Sequence, residues 1–246
     1  MLNYIRADIY RNLNRKYFWI YTGIIAAMAV LVTVLFKVTN GIAGKDFNLV
    51  LNIATQTFTL PIYLVGAFVE MATSDEQKNQ TFKNVVSFGV TRNTIAISKV
   101  ITSVILSILS AFIILTAFSI SGLILLGGPS DFLSEFLIRF SLASVLWIGA
   151  ISIGTFIALV FNSSNISAFV YMGIFAMTKN IISILSILVW DKFSYLNNFL
   201  ISTKLNILAK EPLIMENIGP AILVGVIYTI VFTGLSMLYL RKKEIK

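Results

Sequence analysis

Long apolar runs alternate with short polar, mostly basic stretches along this 246-residue chain. A helix needs about 20 apolar residues to cross roughly 30 Å of hydrocarbon. Six stretches qualify, at residues 18–36, 50–71, 100–126, 136–161, 166–189 and 220–240. The first, FWIYTGIIAAMAVLVTVLF, is uncharged, lies between Lys16 and Lys37, and begins beside the interfacial aromatics Tyr17, Phe18 and Trp19. It is too long for a cleaved signal peptide and lacks a small-residue cleavage site. The pattern predicts an all-α integral membrane protein of six transmembrane helices, one unit over 1–246 with no internal repeat, low-complexity tract or soluble domain.

Composition sharpens this class and removes several chemistries. Hydrophobic residues make up 57% of the chain and charged residues 12%, a balance that favours lipid over water as the solvent of most side chains. There is no cysteine and no histidine, so disulfides, thiolates and the usual proton shuttle are missing. A serine protease with its histidine base and a zinc protease of HExxH type are thereby excluded in their usual forms. The net charge of +8 points to lipid headgroups and membrane orientation rather than nucleic acid, because the basic residues flank apolar spans.

Orientation follows from where those residues fall, since loops rich in Lys and Arg stay cytoplasmic. Arg6, Arg11, Arg15 and Lys16 precede the first span, Lys78, Lys83, Arg92 and Lys99 lie in the second connection, and Arg241, Lys242, Lys243 and Lys246 close the chain. The other side holds Lys37, Lys45, Arg139, Lys192, Lys204 and Lys210, half as many. Both termini and the 73–99 loop are therefore expected in the cytoplasm. Residues 190–219 form the largest outside segment, where a short helix over Tyr195 to Ala209 is expected on or in the outer leaflet.

The 73–99 loop, which contains DEQKNQTFKNVVSFGVTRNTIAISK, is longer than a connector needs to be. Thr73 to Glu76 fits a capping box, and Gly89 suits a helix C-terminal stop. These predict a helix of about 15 residues with Phe82, Val85 and Val86 on one side. Thr91 then caps the helix that leads into the third span. Such a helix could float on the headgroups or fit a groove on a cytoplasmic partner and pass on its motion. The N-terminal stretch reads as a similar interfacial helix, with Leu2, Ile5, Ile9 and Leu13 on one face and Arg6, Arg11 and Lys16 elsewhere.

Polar residues also occur inside the spans. Asn52, Gln56, Thr59, Tyr63, Gly66 and Glu70 recur at steps of four and three, one continuous face of the second span. That face is expected to line a polar path or the seam between two copies, and Pro61 to add a kink. Ser103, Ser107, Ser110, Ser141, Ala150 and Gly154 would let helices approach closely. Lys179, midway along the fifth span, is costly at that depth and hence a functional candidate. It is expected to line a substrate cavity or pair with an acid across an interface.

The 75–99 stretch resembles the loop between the second and third spans of type-2 ABC transporter permeases. An acidic residue, a Thr, a Lys-Asn pair, a Gly, an Arg and a Lys recur there in this order, and here they are Asp75 and Glu76, Thr81, Lys83 and Asn84, Gly89, Arg92, and Lys99. Gln80 stands where the family often has Gly. The resemblance implies a permease domain spanning the whole chain and a cytoplasmic coupling helix between spans two and three, its contact set completed by Phe82 and Val85. It also implies a permease pair, of two copies or a copy and a paralogue, on two cytoplasmic ATPase subunits that hold ATP and magnesium. No GxxxxGK[ST] loop exists in this chain, and GIAGKD at 41–46 has Thr39 where the first Gly belongs. The chain itself is thus expected to bind no cofactor and to catalyse nothing. Small permeases of this kind resemble exporters of bacteriocins, lantibiotics and modulin-type toxins, so amphipathic peptide export across the cell membrane is the first reading. Drugs, lipids or ions are other cargoes. An ATPase-independent channel, a secondary transporter or a scaffold is the competing class, and for a secondary transporter the chain lacks interrupted helix pairs and several intramembrane carboxylates.

Overall fold

The computed structural model describes residues 2–39, 47–78, 82–127, 131–161 and 163–243, and every regular element among them is helical. In chain order these are α1 (Leu2–Leu13), α2 (Lys16–Thr39), α3 (Phe47–Gln56), α4 (Leu60–Lys78), α5 (Phe82–Ser87), α6 (Arg92–Leu126), α7 (Asp131–Val160), α8 (Ser164–Leu188), a 3₁₀ helix (Asp191–Phe199), α9 (Ile201–Lys210) and α10 (Met215–Lys242). Five helices, α2, α6, α7, α8 and α10, are long and apolar enough to cross a membrane. The sixth candidate is α3 and α4 taken together, bent by 66°.

That bend corrects the continuous helix expected over 50–71. Pro61 has no N–H to donate and its ring crowds the preceding turn. The chain answers with tight turns, Thr57 N donating to Ala54 O, Phe58 N to Thr55 O and Leu60 N to Thr57 O. Irregular backbone at membrane depth is tolerated where protein surrounds it. Phe58 is buried among Phe136, Phe140 and Trp147, and its carbonyl accepts from the Trp147 indole at 3.1 Å.

Lipid supplies no hydrophobic drive between helices, so close packing and hydrogen bonds must hold the bundle. Helix α7 is its centre, with 72% of its most apolar stretch buried, while α8 lies at the edge with 11%. Gly225 of α10 sits against the Val145 carbonyl of α7, where an added Cβ would lie only 2.7 Å from the oxygen. Between α2 and α6, Thr22 Oγ1 donates to Ser110 Oγ at 3.1 Å and Thr33 Oγ1 to Ser121 Oγ at 3.0 Å. Ser110, marked by sequence as a packing residue, is buried in this contact.

The segment expected to hold a short helix over 195–209 contains the 3₁₀ helix and α9. Ile201, Leu205 and Leu208 of α9 are buried in the main core. Arg139 of α7 ties α9 down, its guanidinium donating to the carbonyls of Leu208 and Glu211 and pairing with Glu135.

Candidate functional site

The turn between α4 and α6 is built by local chemistry that the sequence announces. Gly89 has φ +85°, a left-handed conformation that favours glycine. Thr91 caps α6, its hydroxyl accepting from Thr94 N. The capping box at Thr73 does not form. Thr73 lies inside α4 and its hydroxyl donates back to Val69 O at 2.7 Å. Of the 15-residue helix expected here, the described residues show the end of α4 up to Lys78 and α5 over Phe82–Ser87, and 79–81 lie outside the described residues. Gln80 and Thr81 lie outside the described residues, as do the side chains of Asp75, Glu76, Phe82, Lys83 and Asn84.

Val85 and Val86 of α5 pack against a small separate core of Ile95, Ala96, Leu159 and Leu240. The apolar side of α5 thus faces the bundle, and Phe88 beside Gly89 is 87% exposed. Its phenyl ring stands at the tip of the tight turn, uncovered by the rest of the described chain. Sequence reasoning passed over it because it sits off the helical apolar stripe.

Arg92 and Lys99 fasten the start of α6 to both ends of the chain. Arg92 Nη1 donates to the carbonyls of Leu240, Arg241 and Lys243 at 3.2, 2.9 and 2.8 Å, satisfying the orphan acceptors at the end of α10. Arg241 Nε returns a bond to Asn93 Oδ1. Lys243 Nζ reaches Leu159 O, and partial burial holds its ammonium below the ordinary lysine range. Lys99, grouped by sequence with the exposed loop residues, is instead fully buried and pairs with Asp8 of α1 at 2.9 Å. Arg11 also pairs with Asp8, and the Lys99 ammonium lies 5.4 Å from the Tyr4 ring centroid. The buried residues of α1 are Ile5, Asp8 and Asn12; of the expected apolar face Ile5 is buried, Ile9 and Leu13 are partly buried, Leu13 against the main core, and Leu2 is 80% exposed.

The 66° bend divides the polar stripe of the second span. Asn52 and Gln56 stay on α3, exposed and bonded to each other at 3.0 Å. Thr59 lies in the turn. Tyr63, Gly66 and Glu70 stay on α4, where they line a cavity of about 300 Å³ between α4 and α8, closed behind by α7 and flanked by Tyr21 of α2. Ser164 at the start of α8 donates to Glu70 Oε1. Lys179 is exposed on α8 and lines neither this cavity nor the apolar one of about 470 Å³ on the other side of α4.

Residues 11–179, more than half of the chain and including the whole 73–99 loop, match the family model described as ABC-2 family transporter protein. The chain belongs to the ABC-2 transporter family. No curated protein matches it. Membership makes it a multi-pass membrane component of an ABC transporter, and it agrees with the chain's lack of an ATP-binding loop.

Proposed function

We propose that the chain is the permease subunit of an ATP-driven exporter of amphipathic peptides at the cell membrane, working with a second permease and two cytoplasmic ATPase subunits. The observation that carries the reading is the α4–α6 turn. It presents Phe88 to solvent while Val85, Val86, Arg92 and Lys99 connect it to α6, α10 and α1. A push on the turn would reach three helices at once. We assign coupling to Asp75, Glu76, Thr81, Phe82, Lys83, Asn84, Val85, Gly89 and Arg92 on the strength of their place in the same loop sequence, and Lys99 acts within the bundle through Asp8. With both termini in the cytoplasm, as the distribution of Lys and Arg favours, the turn faces the ATPases.

Asn52, Gln56 and Lys179 are exposed polar groups and Thr59 is partly buried in the turn between α3 and α4, and all four serve the seam with the second permease. Tyr63 and Glu70 serve the substrate path. Purification of the chain with its native neighbours tests the reading. An ATPase subunit is expected to co-elute, and its absence would remove the exporter interpretation in favour of an ATPase-independent channel or scaffold.

A further inference from the structure

The cavity between α4 and α8 has an unusual chemistry for a membrane bundle. Its walls are mostly apolar, yet one carboxylate, Glu70, lines it, and no Lys or Arg is among the described lining residues. Among the described residues Glu70 is bonded by Ser164 alone, through one carboxylate oxygen. A carboxylate in apolar surroundings with spare acceptor capacity favours a cationic guest.

The aromatic walls are held in place by the backbone of the broken span. Tyr171 donates its phenol to Ile62 O at 2.7 Å and Tyr21 donates to Leu64 O at 2.9 Å. The Tyr171 ring fits a slot between two glycines, since a Cβ on Gly66 or Gly154 would lie 3.0 or 3.1 Å from it. Tyr63 adds a third ring. Fixed rings beside a carboxylate are the elements that bind ammonium groups, the rings through their negative faces and the carboxylate by a charge-assisted hydrogen bond.

We propose that this cavity is a receptor for a lysine side chain of the amphipathic peptide cargo. A volume of about 300 Å³ holds an alkyl stem with its ammonium and is far too small for a peptide helix. The apolar walls match the four methylenes of lysine, which bury readily while the head seeks a polar partner. Tyr21 is one turn inside the start of α2 and Ser164 begins α8 beside the α7 end that contacts Lys243. The cavity therefore lies near the end of the bundle that carries both termini, where an amphipathic peptide lying in the headgroups could insert one lysine while its backbone stays at the interface. The proposal rests on the peptide-exporter reading and adds the group by which cargo is recognised.

The test uses the permease purified together with its ATPase and two labelled probes, an 18-residue Leu/Lys amphipathic peptide and the same peptide with norleucine for each lysine, the second carried at its solubility limit in detergent. Fluorescence anisotropy is expected to show the lysine peptide bound, with about tenfold weaker binding to Glu70→Gln, an amide that still accepts from Ser164. Tyr63→Leu, which keeps apolar volume and removes a ring face, is expected to weaken it about threefold. The norleucine peptide should be indifferent to Glu70→Gln. Monodisperse elution with the ATPase bound serves as the check on folding. If both peptides bind alike and neither variant matters, the receptor proposal fails while the peptide reading stands. If no peptide binds but dodecylamine binds in a Glu70-dependent manner, the peptide reading fails and the cavity is a site for small cationic amphiphiles.

Discussion

Lys99 Nζ and Asp8 Oδ2 meet at 2.9 Å with both side chains sealed from solvent, joining α1 to α6 across 91 residues of sequence. Desolvating both charges offsets much of their attraction, but removing Asp8 takes a buried carboxylate from Lys99, whereas removing Lys99 leaves Asp8 paired with Arg11. Asp8→Asn is expected to destabilise by about 3 to 5 kcal/mol, and Lys99→Met by less because Arg11 still pairs with Asp8. The double variant should recover a large part of that loss. Thermal unfolding in detergent checks this, and additive losses would refute a coupled pair.

Arg92 closes the end of α10 with three carbonyl bonds. Arg92→Gln is predicted to speed amide exchange in residues 236–243 and to cost about 1 to 3 kcal/mol, leaving α2 and α7 unchanged. Exchange that stays the same at the end of α10 would mean the clamp contributes nothing in solution.

Gly225→Ala places a methyl 2.7 Å from the Val145 carbonyl, whereas Gly173→Ala meets nothing within 4 Å. The first should force α7 and α10 apart and lose about 1 to 3 kcal/mol, the second should not lower the melting temperature. Equal effects would contradict the α7–α10 packing.

Phe88→Asp changes a ring that is 87% exposed, so the melting temperature should stay within a degree or two of the parent, on the order expected for surface changes. Co-purification of the ATPase should fall sharply, and Phe82→Asp is expected to do the same. Retained ATPase in both variants would make the turn a surface float.

Lys179→Met removes an exposed cation from the outer face of α8. Transport is expected to drop at normal expression because the seam loses a charge. Unchanged transport would dismiss Lys179 from the seam and the path alike.

Local chemistry made much of this architecture legible in the chain. Gly89 and Thr91 needed only their neighbours to be read, and the apolar runs located the long helices. Distant relationships were hidden. Asp8 looked like one more polar residue on an amphipathic helix because its partner Lys99 lies far along the chain. Thr73 and Glu76 matched a capping box, but α4 simply continues and Thr73 bonds its own preceding turn. Pro61 announced a kink, while the size of the bend depended on Trp147 and the surrounding phenylalanines receiving the freed backbone. Tyr63 and Glu70 were visible as a stripe, yet the cavity they line needed Tyr21, Tyr171 and Ser164 from α2 and α8.

The most direct measurement is movement of a labelled Leu/Lys amphipathic peptide across proteoliposomes that contain the permease and its co-purified ATPase. The account predicts accumulation on the side away from the ATPase, only with ATP and magnesium, and lost with Phe88→Asp. Equal movement without ATP, or ATP hydrolysis that never moves the peptide, would contradict it.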